Sequence, residues 1–247
     1  MKIKLTLCLI LFLHSLAFSQ KQDSIKVSQP LSATANVQFT NNGVSLFPNL
    51  SLGRPAVIAT LSVGKKGVYF EPELRWGLNG KPWSYIYWLR YKYRKSEKFG
   101  ITVGAHPSYI VKETDVQING VNDKRYVAQR YAAVELAPTY YFSKKFSLGV
   151  YALQATRLDN NGIKKSQFYS LMPRFPFIGL SKSYYLSFYP QIFYLSLDTD
   201  SGTYFNETLI LSKKNFPISL SSVFTTKIKS EISGDKIVWN VGLNIKL

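Results

Sequence analysis

Residues 68–77 read Val-Tyr-Phe-Glu-Pro-Glu-Leu-Arg-Trp-Gly. One parity carries Phe70, Pro72, Leu74 and Trp76; the other carries Tyr69, Glu71, Glu73 and Arg75. Successive side chains of a strand point to opposite faces, so this stretch makes a strand with an oily face and a charged face. Residues 85–94 repeat the pattern, with Tyr85, Tyr87, Leu89, Tyr91 and Tyr93 set against Arg90, Lys92 and Arg94. A charged row facing away from an aromatic row belongs to a wall between a polar interior and an apolar surround.

Outward from these two segments the same reading yields twelve strands, at about 31–40, 55–64, 68–78, 84–95, 99–114, 126–142, 146–158, 166–179, 183–197, 204–213, 217–231 and 236–247. Most exceed the five or six residues usual in soluble sheets. They match the roughly nine to eleven residues a tilted strand needs to cross a bilayer. No stretch shows useful helical periodicity, and no apolar run is long enough for a helical span.

The connections are of two kinds, and they alternate. One kind holds Asn42-Gly43, Asn79-Gly80, Asn119-Gly120, Asn161-Gly162, Ser201-Gly202 and Ser233-Gly234, pairs that accept the positive φ of tight reversals. The other is cationic: Lys65-Lys66, Lys95 with Lys98, Lys144-Lys145, Lys182 and Lys213-Lys214. In an up-and-down meander successive turns lie at opposite ends, so alternating turn chemistry means two different rims. The expected fold is all-β, an antiparallel up-and-down transmembrane β-barrel of about twelve strands. An even strand number puts both termini and the lysine turns at the periplasmic rim, with the longer loops 41–54 and 115–125 outside. Proline recurs inside the strands, at Pro72, Pro107, Pro138, Pro173 and Pro190 on the lipid-facing parity, with Pro176 an exception. A strand proline lacks the ladder N–H, so bulges or locally unpaired strands are expected there.

Residues 1–19 read as a cleaved secretory signal: Lys2 and Lys4, the apolar run Leu7–Leu13, then Ala17 and Ser19 at the small positions before the cut. Residues 20–30 form a short tail and 31–247 the barrel. Cleavage removes Cys8 and His14, so the mature chain has no thiol chemistry and His106 is its only histidine. Cys- and His-based metal sites are thereby excluded, and no cofactor motif appears. The net charge of +17 calls for an anionic neighbour. In an exported chain that neighbour is membrane lipid and lipopolysaccharide rather than nucleic acid.

The signal ending Leu-Ala-Phe-Ser-Gln (16–20), the lysine turns, the segment GKPWSYIYWLRYKY (80–93) and the terminal WNVGLNIKL (239–247) resemble small outer-membrane β-barrels of Bacteroidetes-type bacteria. The resemblance implies the outer membrane and no particular substrate.

Two sets of residues are candidates for function. Glu71, Glu73, Arg75, Arg90, Lys92 and Arg94 face inward as a lumen charge network. A reversal near residues 80–81 puts Glu71 opposite Arg90 and Glu73 diagonal to it. The second set is His106-Pro107-Ser108, a His-x-Ser arrangement that resembles that of outer-membrane phospholipases and lipid A deacylases. Closing the hairpin near residue 120 brings Glu135 beside His106, giving a Ser108–His106–Glu135 constellation. Its structural alternative is a lumen histidine bonded to Glu135. The expected function is a non-enzymatic, monomeric outer-membrane barrel: a narrow pore, a binding barrel or a structural envelope component, with an unidentified small solute. The alternatives are an outer-membrane lipid hydrolase using His106 and Ser108, and a soluble periplasmic β-barrel binding an apolar ligand.

Overall fold

The computed structural model describes residues 30–247 except 46, 48, 49, 119, 120 and 161. The signal and most of the tail expected over residues 1–30 lie outside the described residues. Twelve strands follow in order: β1 (Ser32–Thr40), β2 (Ala56–Lys65), β3 (Val68–Gly77), β4 (Pro82–Arg94), β5 (Phe99–Ile118), β6 (Val121–Tyr141), β7 (Ser147–Arg157), β8 (Lys165–Gly179), β9 (Tyr184–Leu197), β10 (Asp200–Lys213), β11 (Ile218–Ser230) and β12 (Ile237–Lys246). Each pairs antiparallel with its sequence neighbours, and β1 pairs with β12, so the sheet closes into a barrel. The closing seam runs from Asn36↔Lys246 to Thr40↔Gly242.

The alternation decides which way the wall faces. Phe70, Leu89, Val134, Leu220 and Trp239 are exposed on the outside. Ser84, Ser108, Glu135 and Asn206, which all lie in strands, are buried inside. The even-to-odd connections carry the lysines, and the up-and-down order places Lys66, Lys145 and Lys214 at one end together with the start of β1 at Ser32 and the end of β12 at Lys246. Lys66 and Gly67 both have positive φ, the conformation a two-residue hairpin between Lys65 and Val68 demands. Rings flank these cationic tips: Lys213 lies 5.9 Å from the Tyr184 ring and 5.9 Å from the Phe216 ring.

Two boundaries differ from expectation. The outer connection of residues 115–125 is not a long loop, because β5 and β6 stay paired from Phe99↔Tyr140 to Ile118↔Val121. Pairs such as Asp115↔Lys124 suit a hairpin whose two faces both meet water. The reversal expected at Ser201-Gly202 instead lies at Asp198-Thr199, with Asp198 at φ 53°. Gly202 sits within β10, where a Cβ would collide with the Ser230 side chain. Asn119, Gly120 and Asn161 lie outside the described residues, while Gly80, Gly162 and Gly234 have the positive φ that reversals require.

The strand prolines have a common effect. Pairing lapses between Thr60↔Glu73 and Val63↔Phe70, between Ile86↔Ser108 and Leu89↔Ala105, between Leu136↔Ala152 and Thr139↔Gly149, and between Leu171↔Ile192 and Phe175↔Phe188. These gaps contain Pro72, Pro107, Pro138, and the pair Pro173 and Pro190. Each proline keeps its register with the strand on its other side, as Pro107↔Ala132 and Pro190↔Glu207 show. One missing N–H removes one ladder and spares the other. All four gaps fall in lysine-tipped hairpins. The fifth such hairpin, β10–β11, has no strand proline, and its pairing runs through apart from one bulge. Pro176 lies in the bulge of β8 between Phe175 and Ile178, and its carbonyl accepts a 2.7 Å bond from Ser187 Oγ.

At the outer rim the Asp198 carboxylate accepts the backbone N–H of Lys164 at 3.0 Å and of Lys165 at 2.8 Å. These two donors hold its pKa below the ordinary aspartate value. A lowered folded pKa means the clamp is fully present above the unfolded pKa and is lost as pH falls through the lowered one. The NMR exchange protection factors of the Lys164 and Lys165 amides are therefore expected to stay high at neutral and mildly acidic pH and to fall only below the usual carboxylate range. Asp198→Ala is expected to remove the protection at neutral pH.

Candidate functional site in the barrel lumen

The interior is divided. Toward β8–β10 it is aromatic: Phe168, Phe193 and Tyr204 are each almost wholly buried and stack in sequence at 4.9 Å and 4.9 Å between ring centres. Phe47, from the β1–β2 connection, stacks on Phe168 at 5.7 Å. That connection is held inward by Trp83, whose Nε1 donates to the Leu50 carbonyl at 2.8 Å. A polar chain crosses β8–β11, with Ser170 donating to Gln191, Gln191 to Asn206, and Asn206 to Thr225.

Toward β3–β7 the interior is charged. The turn before β4 centres on Asn79, earlier than expected, so Glu71 faces Trp88 and Arg90 faces Tyr69. Arg90 reaches Glu71 diagonally at 3.1 Å. On its other side it grips Glu135 with two bonds, Nε to Oε1 at 2.6 Å and Nη2 to Oε2 at 3.1 Å. Tyr151 adds a hydroxyl bond to Glu135 at 2.6 Å, and Lys92 and Ser62 each reach Glu71 at 2.6 Å. Glu73 pairs along its own strand with Arg75, not with Arg90. Arg94 does not join the cluster and donates instead to the Glu97 carbonyl at the lysine rim. The strand alternation points to Glu71, Arg90 and Lys92; Glu135 and Tyr151 come from β6 and β7, and only the closed sheet shows their share.

His106 and Ser108 lie on the inward face of β5 and are buried. His106 pairs in register with Ala133 and Ser108 with Tyr131, while Glu135 faces Gly104. No hydrogen bond joins Ser108 to His106 or His106 to Glu135 among the described residues, and His106 Nδ1 has no partner. The histidine instead meets the Trp88 ring edge-on at 4.1 Å. The Glu135 carboxylate is already occupied by Arg90 and Tyr151, so it does not orient the imidazole. A triad needs base and orienting acid in direct contact, and that contact is missing.

Two cavities lie along the lumen among the described residues and share part of their lining. The outer one, of about 230 Å³, lies under Phe47 and Leu50 and is walled by Trp83, Trp88, His106 and Tyr151. The other, of about 390 Å³, reaches Thr34, Ser219 and Lys246 near the lysine rim. Both are bounded by Glu73, Trp88 and Arg90, which form the partition they share. The Arg90 guanidinium lies over the Trp88 ring at 4.0 Å, so the partition is braced by a stacked cation as well as by ion pairs.

No protein-family model and no curated protein matches the chain in sequence. Several solved structures match it in shape. The fold is that of outer-membrane β-barrels. A KdgM porin in complex with disordered oligogalacturonate has a TM-score of 0.53 at 10% identity, over 86% of this chain and 98% of that one. A NanC porin gives 0.54 at 10%, over 86% and 100%. An outer-membrane channel from Pseudomonas putida F1 gives 0.51 at 11%, over 91% and 99%. At these identities the likeness is one of architecture.

Removing one partner of a buried charge pair leaves the other uncompensated, at a cost of about 3–5 kcal/mol. Arg90→Ala, which strands the buried Glu135 carboxylate, is expected to lower unfolding stability by about that amount. Tyr151→Phe, which removes one hydroxyl bond, should cost only about 1 kcal/mol. Urea unfolding of the refolded barrel followed by tryptophan emission measures both.

Proposed function

We propose that the chain is exported through a cleaved signal over residues 1–19 into the outer membrane, where its barrel acts as a narrow, non-enzymatic pore for small solutes. The observation that carries this reading is the pair of lumen cavities that share one partition of Glu73, Trp88 and Arg90, which the proposal takes as the throat. The exposed outward rows of Phe70, Leu89, Val134 and Leu220 support a lipid surround over a soluble periplasmic barrel. The cationic rim and its rings suit the anionic head groups of phospholipid on the lysine side, and the opposite rim faces the lipopolysaccharide leaflet. Each barrel encloses its own route, so a monomer suffices.

Charges lining a throat set which ions pass. The refolded protein in planar bilayers is expected to give small, resolved conductance steps. Trp88→Ala, which widens the throat, should enlarge them, and Lys92→Glu, which replaces the cation paired with Glu71 on the wall of the inner cavity by a second carboxylate, should shift selectivity toward cations. Silent bilayers for both the wild-type protein and Trp88→Ala would remove the pore reading.

The hydrolase alternative makes the opposite demand on His106. With Glu135 held by Arg90 and Tyr151, His106→Ala is expected to leave phospholipid and lipid A profiles of expressing cells unchanged. A loss of lipid turnover in that variant would restore the alternative.

A further inference from the structure

Alternation fixes which side chains of the wall face lipid, except where a bulge breaks it. At Trp83 the register steps from Arg75↔Ser84 to Trp76↔Pro82, and the extra residue turns into the lumen beside Ser84. No such step lies in the middle of β10. Its pairing with β9 is continuous from Asp200↔Leu197 to Lys213↔Tyr184, and with β11 from Tyr204↔Lys227 to Ser212↔Ser219. Tyr204 and Asn206 are buried in the lumen, so Glu207, the next residue, points out of the barrel. It pairs with Pro190 and Phe224, on the outward rows that hold exposed Ile192 and Leu220.

Glu207 lies midway along β10 and is half-buried among apolar neighbours. Among the described residues it makes no hydrogen bond and no ion pair. It is also the one charged residue on an outward row between the rims among those residues. Lys65, Lys165, Lys213 and Lys229 stand at or beside strand ends, and Arg130 lies beyond the last β6–β7 pair. A carboxylate facing hydrocarbon is costly, and intramembrane charges are as a rule paired.

Three observations say what pairs with it. Its charge calls for a cation. Head-group amines lie at the rims, half a bilayer thickness away, so lipid does not supply one at this depth. A second copy of the chain does not either, because its outward rows hold no lysine or arginine at the level of Glu207. The same face also contains the longest lapse in strand pairing, where β8 and β9 part over Met172–Arg174 and Tyr189–Gln191. In hydrocarbon such a line gains from being covered.

We propose that the outward face of β9–β11 around Glu207 is a docking surface for a membrane-spanning segment of another protein, one that brings a lysine or arginine to mid-depth. The surface rests on the outward rows lying in lipid and not on conduction.

The test reconstitutes the full refolded barrel in phosphatidylcholine vesicles with a synthetic spanning helix of about twenty leucine and alanine residues carrying one central arginine. A twin with leucine at the centre is the control. Energy transfer from the barrel's tryptophans to a dansyl group on the helix reads association. Quenching of Trp239, which is exposed on the outer face, by brominated lipid reads insertion. The arginine helix is expected to bind saturably and the leucine twin about tenfold more weakly, with Glu207→Leu bringing the two to one affinity. Glu207→Leu is also expected to raise the urea midpoint of the barrel without helix, because it removes a carboxylate from oil. Absence of quenching would overturn the lipid-facing reading and the docking surface with it. Normal quenching with equal affinity for both helices, or with no binding, overturns the docking surface alone. A lowered midpoint in Glu207→Leu would give the carboxylate a partner within the barrel and overturn it as well. Self-association of the barrel without helix, lost in Glu207→Leu, would assign the face to a second copy and overturn the cationic partner.

Discussion

A sheet surrounded by lipid has to pair its backbone internally, because hydrocarbon offers no other donors or acceptors. Everything else in this barrel depends on that constraint. It explains why β1, the shortest strand, still closes onto β12 through the run from Asn36 to Thr40. It also explains why the prolines are arranged as they are. Each interrupts one seam and leaves the other intact, so no strand loses both neighbours at once. The gaps occupy alternate seams, and β3–β4, β5–β6 and β7–β8 run between them without such breaks. The wall is built from firmly zipped pairs joined along looser lines.

Closure creates an inside, and the inside is filled by two unlike chemistries. On one side Phe168, Phe193 and Tyr204 stack as the core of a soluble protein would. On the other, Arg90 ties β3, β4 and β6 together through Glu71 and Glu135. The aromatic side receives Phe47 and so anchors the β1–β2 connection; the charged side forms the partition between the two cavities. The outer cavity is the space left between them.

The fold was legible because alternation in β3 and β4 is unusually clean, and because the turns announce which rim they occupy. Twelve strands and one lysine rim follow from those two signals. The lumen was less legible. In β9 the run Ile192-Phe193-Tyr194-Leu195 puts apolar residues on both faces, so nothing in the pattern separates buried Phe193 and Leu195 from exposed Ile192 and Tyr194. The partners of Arg90 depend on the exact centre of a turn, and a shift from residues 80–81 to Asn79 changes which residues face each other across β3 and β4. Gly80, Gly162 and Gly234 mark reversals with a positive φ, while Asn42-Gly43 opens the β1–β2 connection without one. Ser201-Gly202 looks the same in the sequence but exists to let Ser230 and Tyr204 approach.

The bulge at Trp83 means that the interior of this cylinder can be re-equipped without redesigning its shell. One inserted residue turns Trp83 from a membrane-facing position to a lumen-facing one, and the β3–β4 pairing resumes one residue out of step beyond it. The lining of the cylinder and its outer face are thus separately adjustable.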